Sequence, residues 1–149
     1  RGQGVIKKQE EITVTIPAGI QNGEMIRLTG RGEAVPKGIS GDLYIKVHVT
    51  SHQIFRRDGI NLIMDLNIKL TDALLGAVYP IRTLDGEIKL TVPAGVTFGE
   101  VLRVRGKGIP RGEHGNQRGD LLVHIKVQMP QKISEKAGKL ITELIKEGL

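Results

Sequence analysis

Four histidines, His48, His52, His114 and His124, are the side chains in this sequence best suited to metal or proton chemistry. A zinc-type site needs ligands converging at fixed spacings, for example two histidines four apart on one helical face. His48 and His52 have that spacing, but the apolar alternation around His48 predicts a strand running into a loop, where such a pair does not share a face. The chain has no cysteine, which removes Cys-type zinc sites, disulfides and thiol nucleophiles. There is no Gly-x-Ser-x-Gly elbow to present a serine. Asp42, Asp58, Asp85 and Asp120 fall at turns or strand starts, where a carboxylate ordinarily bonds local backbone N–H groups. Gly30-x-Gly32 and Gly106-x-Gly108 lack the third glycine and the following helix of a phosphate-binding loop, so they read as turns. The residues predict no enzyme and no cofactor.

What remains is apolar. Phe55 is one of two phenylalanines and sits beside Ile54 in an otherwise polar stretch, residues 51–61. It either fills a small core or inter-unit joint, or forms the lip of an apolar groove. In the second reading an extended peptide adds its backbone to a sheet edge and places side chains in pockets.

The elements that must position such a groove come from a doubled stretch. Ile12–Gly32, ITVTIPAGIQNGEMIRLTGRG, returns without a gap as Ile88–Gly108, IKLTVPAGVTFGEVLRVRGKG, and each copy leads to a Gly-Asp-Leu strand start at Gly41 and Gly119. Ile12, Val14 and Ile16 alternate with threonines, which predicts a half-buried strand ended by Pro17. Met25–Leu28 is expected to return, and Asp42–Thr50 to form a further strand with Leu43, Ile45, Val47 and Val49 on one face. The polar break at 51–61, with Asp58-Gly59 as a turn, places the unit boundary there. Beyond it, residues 62–70 predict a strand and 71–76 a helical turn capped by Thr71. Residues 78–82 and 88–92 form a hairpin, and 121–127 form the closing strand.

The period then changes. After a candidate N-cap at Ser134, Ala137, Leu140, Ile141, Leu144 and Ile145 form one helical stripe, with Gly148 as the stop. A helix of this length is marginal in water unless the stripe is covered, either by its own sheet or by a second copy of the chain.

Composition bounds the rest. Twenty glycines and six prolines in 149 residues suit many short strands joined by tight turns. No apolar run reaches the roughly 20 residues of a membrane-spanning helix. A net charge of +6 would suit an anionic partner, so a basic β-barrel-like module binding nucleic acid is the competing reading. The basic residues are scattered, however, and aromatic stacking platforms are scarce, both of which argue against it.

The doubled IPAG/VPAG unit with its Gly-Asp-Leu strands, together with Phe55-Arg56-Arg57-Asp58-Gly59 and Ala73-Leu74-Leu75-Gly76-Ala77, resembles the C-terminal substrate-binding region of the bacterial DnaJ (Hsp40) co-chaperones. The opening Arg1-Gly2-Gln3-Gly4-Val5 is similar to the segment just after the last zinc-binding cysteine of the zinc-containing class, which implies a fragment starting just past the zinc module. The resemblance implies a mostly β fold of two tandem antiparallel β-sandwich-like domains, with a short helix in the second and a C-terminal amphipathic helix. That places the first domain, lacking its N-terminal strands, at residues 1–53, the second at 54–131 and a dimerisation helix at 132–149. It implies a cytoplasmic homodimer that holds unfolded client polypeptide for Hsp70 (DnaK), with zinc bound only in the absent upstream module. By position, Ile12, Val14 and Phe55 match the family's peptide groove, and Leu140, Ile141, Leu144 and Ile145 match its dimer helix. No His-Pro-Asp motif of a J domain is present, so the chain alone is not expected to stimulate an Hsp70 ATPase.

Overall fold

A computed structural model describes residues 9–149. The opening Arg1–Val5, and Lys7-Lys8, lie outside the described residues. The chain divides into two units, Arg1–Thr50 with Pro110–Gln117, and Ser51–Ile109 with Arg118–Leu149. The loop 110–117 thus groups with the first unit, whereas its place in the sequence assigns it to the second.

In the first unit, β1 (Met25–Leu28) pairs antiparallel with β2 (Leu43–Lys46), in the register Ile26↔Ile45 and Leu28↔Leu43. These four side chains are half-buried on one face, while Met25, Arg27, Tyr44 and Lys46 stand exposed on the other, as the period of two requires. The long alternation from Asp42 to Thr50 supports only this short ladder. Past it, Val47 exchanges backbone bonds with Gly23 and Glu24, both 2.8 Å, and the Val49 N–H donates to Asn22 Oδ1 at 2.9 Å. The expected strand Ile12–Ile16 is not a strand. A strand exists only through its ladder, and no described residue pairs with this segment.

The second unit opens with β3 (Arg56–Asp58), whose residues are all exposed, followed by β4 (Asn61–Lys69). Next comes α1 (Leu70–Leu75), which starts one residue ahead of Thr71. Lys69 holds the N-cap position without a side-chain bond, so Thr71 does not cap it. The hairpin β5 (Ala77–Thr83) and β6 (Gly86–Val92) follows, then β7 (Val101–Val104). Short strands β8 (Pro110–Arg111) and β9 (Gln117–Arg118), all but Arg118 of which group with the first unit, pair around their connecting loop, and β10 (Leu121–Gln128) completes the main sheet. That sheet has the order β3-β4-β10-β7. β10 runs antiparallel to β7 but parallel to β4, a departure from a purely antiparallel unit. A parallel neighbour needs a long crossover, here supplied by everything between residues 70 and 120.

The core follows from alternation on β4 and β10. Leu62, Met64 and Ile68 from β4, and Leu121, Val123 and Ile125 from β10, point to one side of the main sheet. They meet Ala73 of α1, Ile81 of β5 and Val92 of β6, so the hairpin and short helix form the second layer of a sandwich.

The turns of the two repeated copies adopt the same backbone, although residues 12–16 form no strand where residues 88–92 lie in β6. Gly30 and Gly106 both adopt φ 72°, and Gly23/Gly99 and Gly19/Gly95 agree within a few degrees in the same left-handed region. Only glycine enters that region without strain, which is why these positions recur in the sequence.

The final helix, α2 (Glu135–Lys146), begins where the spacing places it: the Ser134 hydroxyl accepts the Ala137 N–H at 3.1 Å. Its cap residue is Glu147, one residue before Gly148. None of its residues is buried, so the apolar stripe does not pack on the sheet of its own unit.

Candidate functional site

The first unit presents an apolar face that its own described residues leave open. Val14, Ile26, Leu28, Leu43, Ile45 and Val47 are half-buried, and no described residue of this unit is fully buried. A cleft of about 470 Å³ lies beside β1, lined by Glu11, Ile12, Thr13, Leu28, Thr29 and Arg31. Ile12 is 36% exposed, and Arg31 Nη1 lies 3.8 Å from Glu10 Oε1. The cleft is lined mostly by polar side chains; Ile12 and Leu28 supply its aliphatic surface, and residues 11–13 contribute backbone outside the ladders of the described residues, where an extended peptide can pair.

The β1–β2 ribbon is held by a charged clamp. Arg27 Nε donates to Asp42 Oδ2 at 2.6 Å, and the other carboxylate oxygen accepts the Gly30 N–H at 3.1 Å. One carboxylate thus fixes both the strand pair and the turn that leaves it. The second unit repeats the device: Arg103 Nη1 donates to Asp120 Oδ2 at 2.5 Å, and the Gly106 N–H to Asp120 Oδ1 at 3.0 Å. The Gly106 N–H, followed by Arg103, holds the Asp120 carboxyl below the usual carboxylate range. The aspartates that open the two strands are therefore structural. Asp85 is similar: Arg118 and then Lys107 pull its carboxyl down, and Arg118 Nη2 also donates to Gly108 O at 2.9 Å.

Of the sequence-predicted site residues, the structure brings Ile12 to the cleft and leaves Val14 half-buried nearby in the chain. Phe55 belongs to the second unit. Its ring is 7% exposed, within the cluster that holds Leu62, Met64 and Ile125. It does not present a free face in this conformation. Sequence reasoning missed His52, whose Nδ1 accepts the Ile54 and Phe55 N–H groups at 3.0 and 3.3 Å. The signal is a polar side chain three residues before a buried one, the spacing of a local turn cap.

The residues assigned to dimerisation do share one face. Leu140, Ile141, Leu144 and Ile145 are all exposed on α2. A larger cleft, about 530 Å³, lies in the second unit among Lys69, Leu70, Thr71, Gln128, Met129 and Pro130, and no predicted site residue lines it. Among the described residues no three His, Cys, Asp or Glu side chains converge as a metal site, and no helix is long and apolar enough to cross a membrane.

Comparison with known proteins accounts for this arrangement. The family model described as DnaJ C terminal domain matches residues 3–130. The chain is 45% identical over 142 residues to a protein named Chaperone protein DnaJ from Clostridioides difficile, covering 95% of this chain and 37% of that protein. It is 42% identical over 143 residues to Chaperone protein DnaJ from Nitrosomonas europaea (95% and 38%), and 40% over 141 residues to Chaperone protein DnaJ 2 from Corynebacterium glutamicum (94% and 35%). The chain therefore spans little more than a third of the length of these relatives. With its doubled β unit, two-layer second unit and terminal helix, it belongs to the DnaJ C-terminal domain family.

Proposed function

We propose that this chain is the client-holding part of a cytoplasmic DnaJ-type co-chaperone, acting by binding and not by catalysis. Exposed apolar segments of unfolded polypeptide lie along residues 12–16 of the first unit, in contact with Ile12 and Val14. Phe55 contributes when its ring leaves the core. Two copies pair through Leu140, Ile141, Leu144 and Ile145, and the paired arms hold a client for Hsp70. The observation that carries this reading is the first unit's apolar face, on which no described residue is fully buried. Each large side chain that a client buries there contributes about 1.5–3 kcal/mol. Two arms on one dimer raise the effective concentration of the second contact.

The test is capture of a chemically denatured protein, followed by light scattering, at low and high salt. Wild-type capture is expected to change little with salt, and Ile12→Asp with Val14→Asp to weaken it by about tenfold or more. Equal capture by the variant sinks the groove. A steep loss of binding with salt, accompanied by oligonucleotide affinity, would instead establish the nucleic-acid reading.

A further inference from the structure

The turn that carries Phe55 into the core is closed by a histidine acting as an acceptor. His52 Nδ1 takes two backbone N–H groups, from Ile54 at 3.0 Å and Phe55 at 3.3 Å. Its ring also lies against the Phe55 ring, with centroids 5.0 Å apart and planes tilted by 34°. This geometry fixes the protonation state. Nδ1 can accept only with a free lone pair, so the ring is neutral and carries its proton on Nε2. A second proton would turn Nδ1 into a donor facing two donors, and both bonds would be lost together.

The surrounding charges do not offset that loss. Among the described residues no ion pair reaches the imidazole. Arg56, Arg57 and Asp58 of β3 follow it in the chain. Across the sheet, Asp65 of β4 pairs with Arg56, and His124 and Lys126 of β10 act on that same carboxylate. The Asp65 carboxylate is therefore already engaged by cations.

We propose that His52 is the positioning residue for Phe55: the neutral imidazole holds the ring in the core, and protonation frees it toward client. The inference rests on the reading of Phe55 as a client contact. Loss of two neutral hydrogen bonds shifts the balance toward the released ring by about tenfold or more.

The chain has two phenylalanines, so 4-fluorophenylalanine labelling gives two fluorine resonances. Phe98, 63% exposed, is the internal reference for a solvated ring. Between about pH 7.5 and about pH 5.5 the Phe55 resonance of the wild type is expected to move toward that of Phe98. His52→Asn keeps a side-chain oxygen that can accept the same bonds and does not titrate, so its Phe55 resonance should stay fixed across the range. His52→Leu removes the acceptor and should show the low-pH resonance position of the wild type at both values. A wild-type resonance that does not move, or a His52→Asn resonance that moves with it, overturns the proposal even if His52→Leu fails to fold. Client capture is read on the same samples. If the ring is released and capture does not rise, His52 still positions Phe55 but the client role of Phe55 falls.

Discussion

The pairing proposed through α2 predicts that replacing Leu140 and Leu144 by aspartate converts a dimer to a monomer. Leu140, Ile141, Leu144 and Ile145 retain 57%, 45%, 42% and 64% exposure on α2. Full burial of such a side chain contributes about 1.5–3 kcal/mol, so covering the half still exposed gives about 1 kcal/mol each. In the proposed dimer both copies contribute the same stripe, for roughly 8 kcal/mol in total. Association itself costs about 4–15 kcal/mol, so pairing depends on the whole stripe together with its flanks, including exposed Ile133. The double substitution removes half of that apolar contribution and adds carboxylates that resist desolvation, weakening pairing by at least about a thousandfold. Sedimentation at low micromolar concentration reads the result directly, as a fall from twice the 16.3 kDa chain mass to the mass of one chain. Far-UV circular dichroism should drop in parallel, because a helix this short is marginal in water without a partner. A variant that sediments like the wild type, or a wild type that is already monomeric at high concentration, refutes the reasoning.

Further perturbations probe the units that carry the site. Gly119 lies so close to β4 that a Cβ would sit 2.0 Å from Ile60 O, so Gly119→Ala is expected to destabilise by about 3 kcal/mol or more, seen as a fall in Tm of roughly ten degrees or more. Asp120 has a depressed carboxyl, so its contribution to stability is fully present above the usual carboxylate range, about pH 4, and is lost as pH falls through the depressed value. Asp120→Asn should remove that part of the acid sensitivity, and denaturation curves taken between about pH 6 and about pH 3 check it. The Tyr79 hydroxyl donates to Asp72 and accepts the Lys69 N–H at 3.2 Å, tying β5 to both sides of the β4–α1 junction. Tyr79→Phe should cost about 1–2 kcal/mol in denaturant unfolding, with the slope unchanged.

Much of this is legible in the sequence, where local pattern and final structure agree. Ser134 announces α2 because a cap is a local interaction, and the β5–β6 hairpin is visible in the Leu84-Asp85-Gly86 turn. The doubled glycines are readable as turns because only glycine adopts those angles cheaply. Pairing is less visible. Ile12–Ile16 alternates as a strand should, but alternation reports a half-buried face and says nothing about whether a partner lies alongside. Arg56–Asp58 reads as a polar break, since an exposed edge strand carries no apolar signal. Thr71 loses the cap to Lys69 because the helix grows directly out of β4, leaving no loop in which a side chain could turn back. At the candidate site, helical spacing marks the α2 stripe and the resemblance supplies the roles proposed for it and for Ile12, whereas the sequence leaves Phe55 open between core and groove lip. Its burial comes from β4 and β10, one of them far away in sequence.

The parallel seam between β4 and β10 also orders events in time. Leu121, Val123 and Ile125, with no exposed surface, form the centre of the second unit, yet they are made after every other strand of the main sheet. While a ribosome is still elongating toward them, β4 and the β5–β6 hairpin have no central strand to close on, and their apolar faces stay open to solvent. A nascent chain halted before residue 121 should therefore behave as a client of the holding activity proposed for the finished protein. Protection would then come in one step, when β10 slides between β4 and β7.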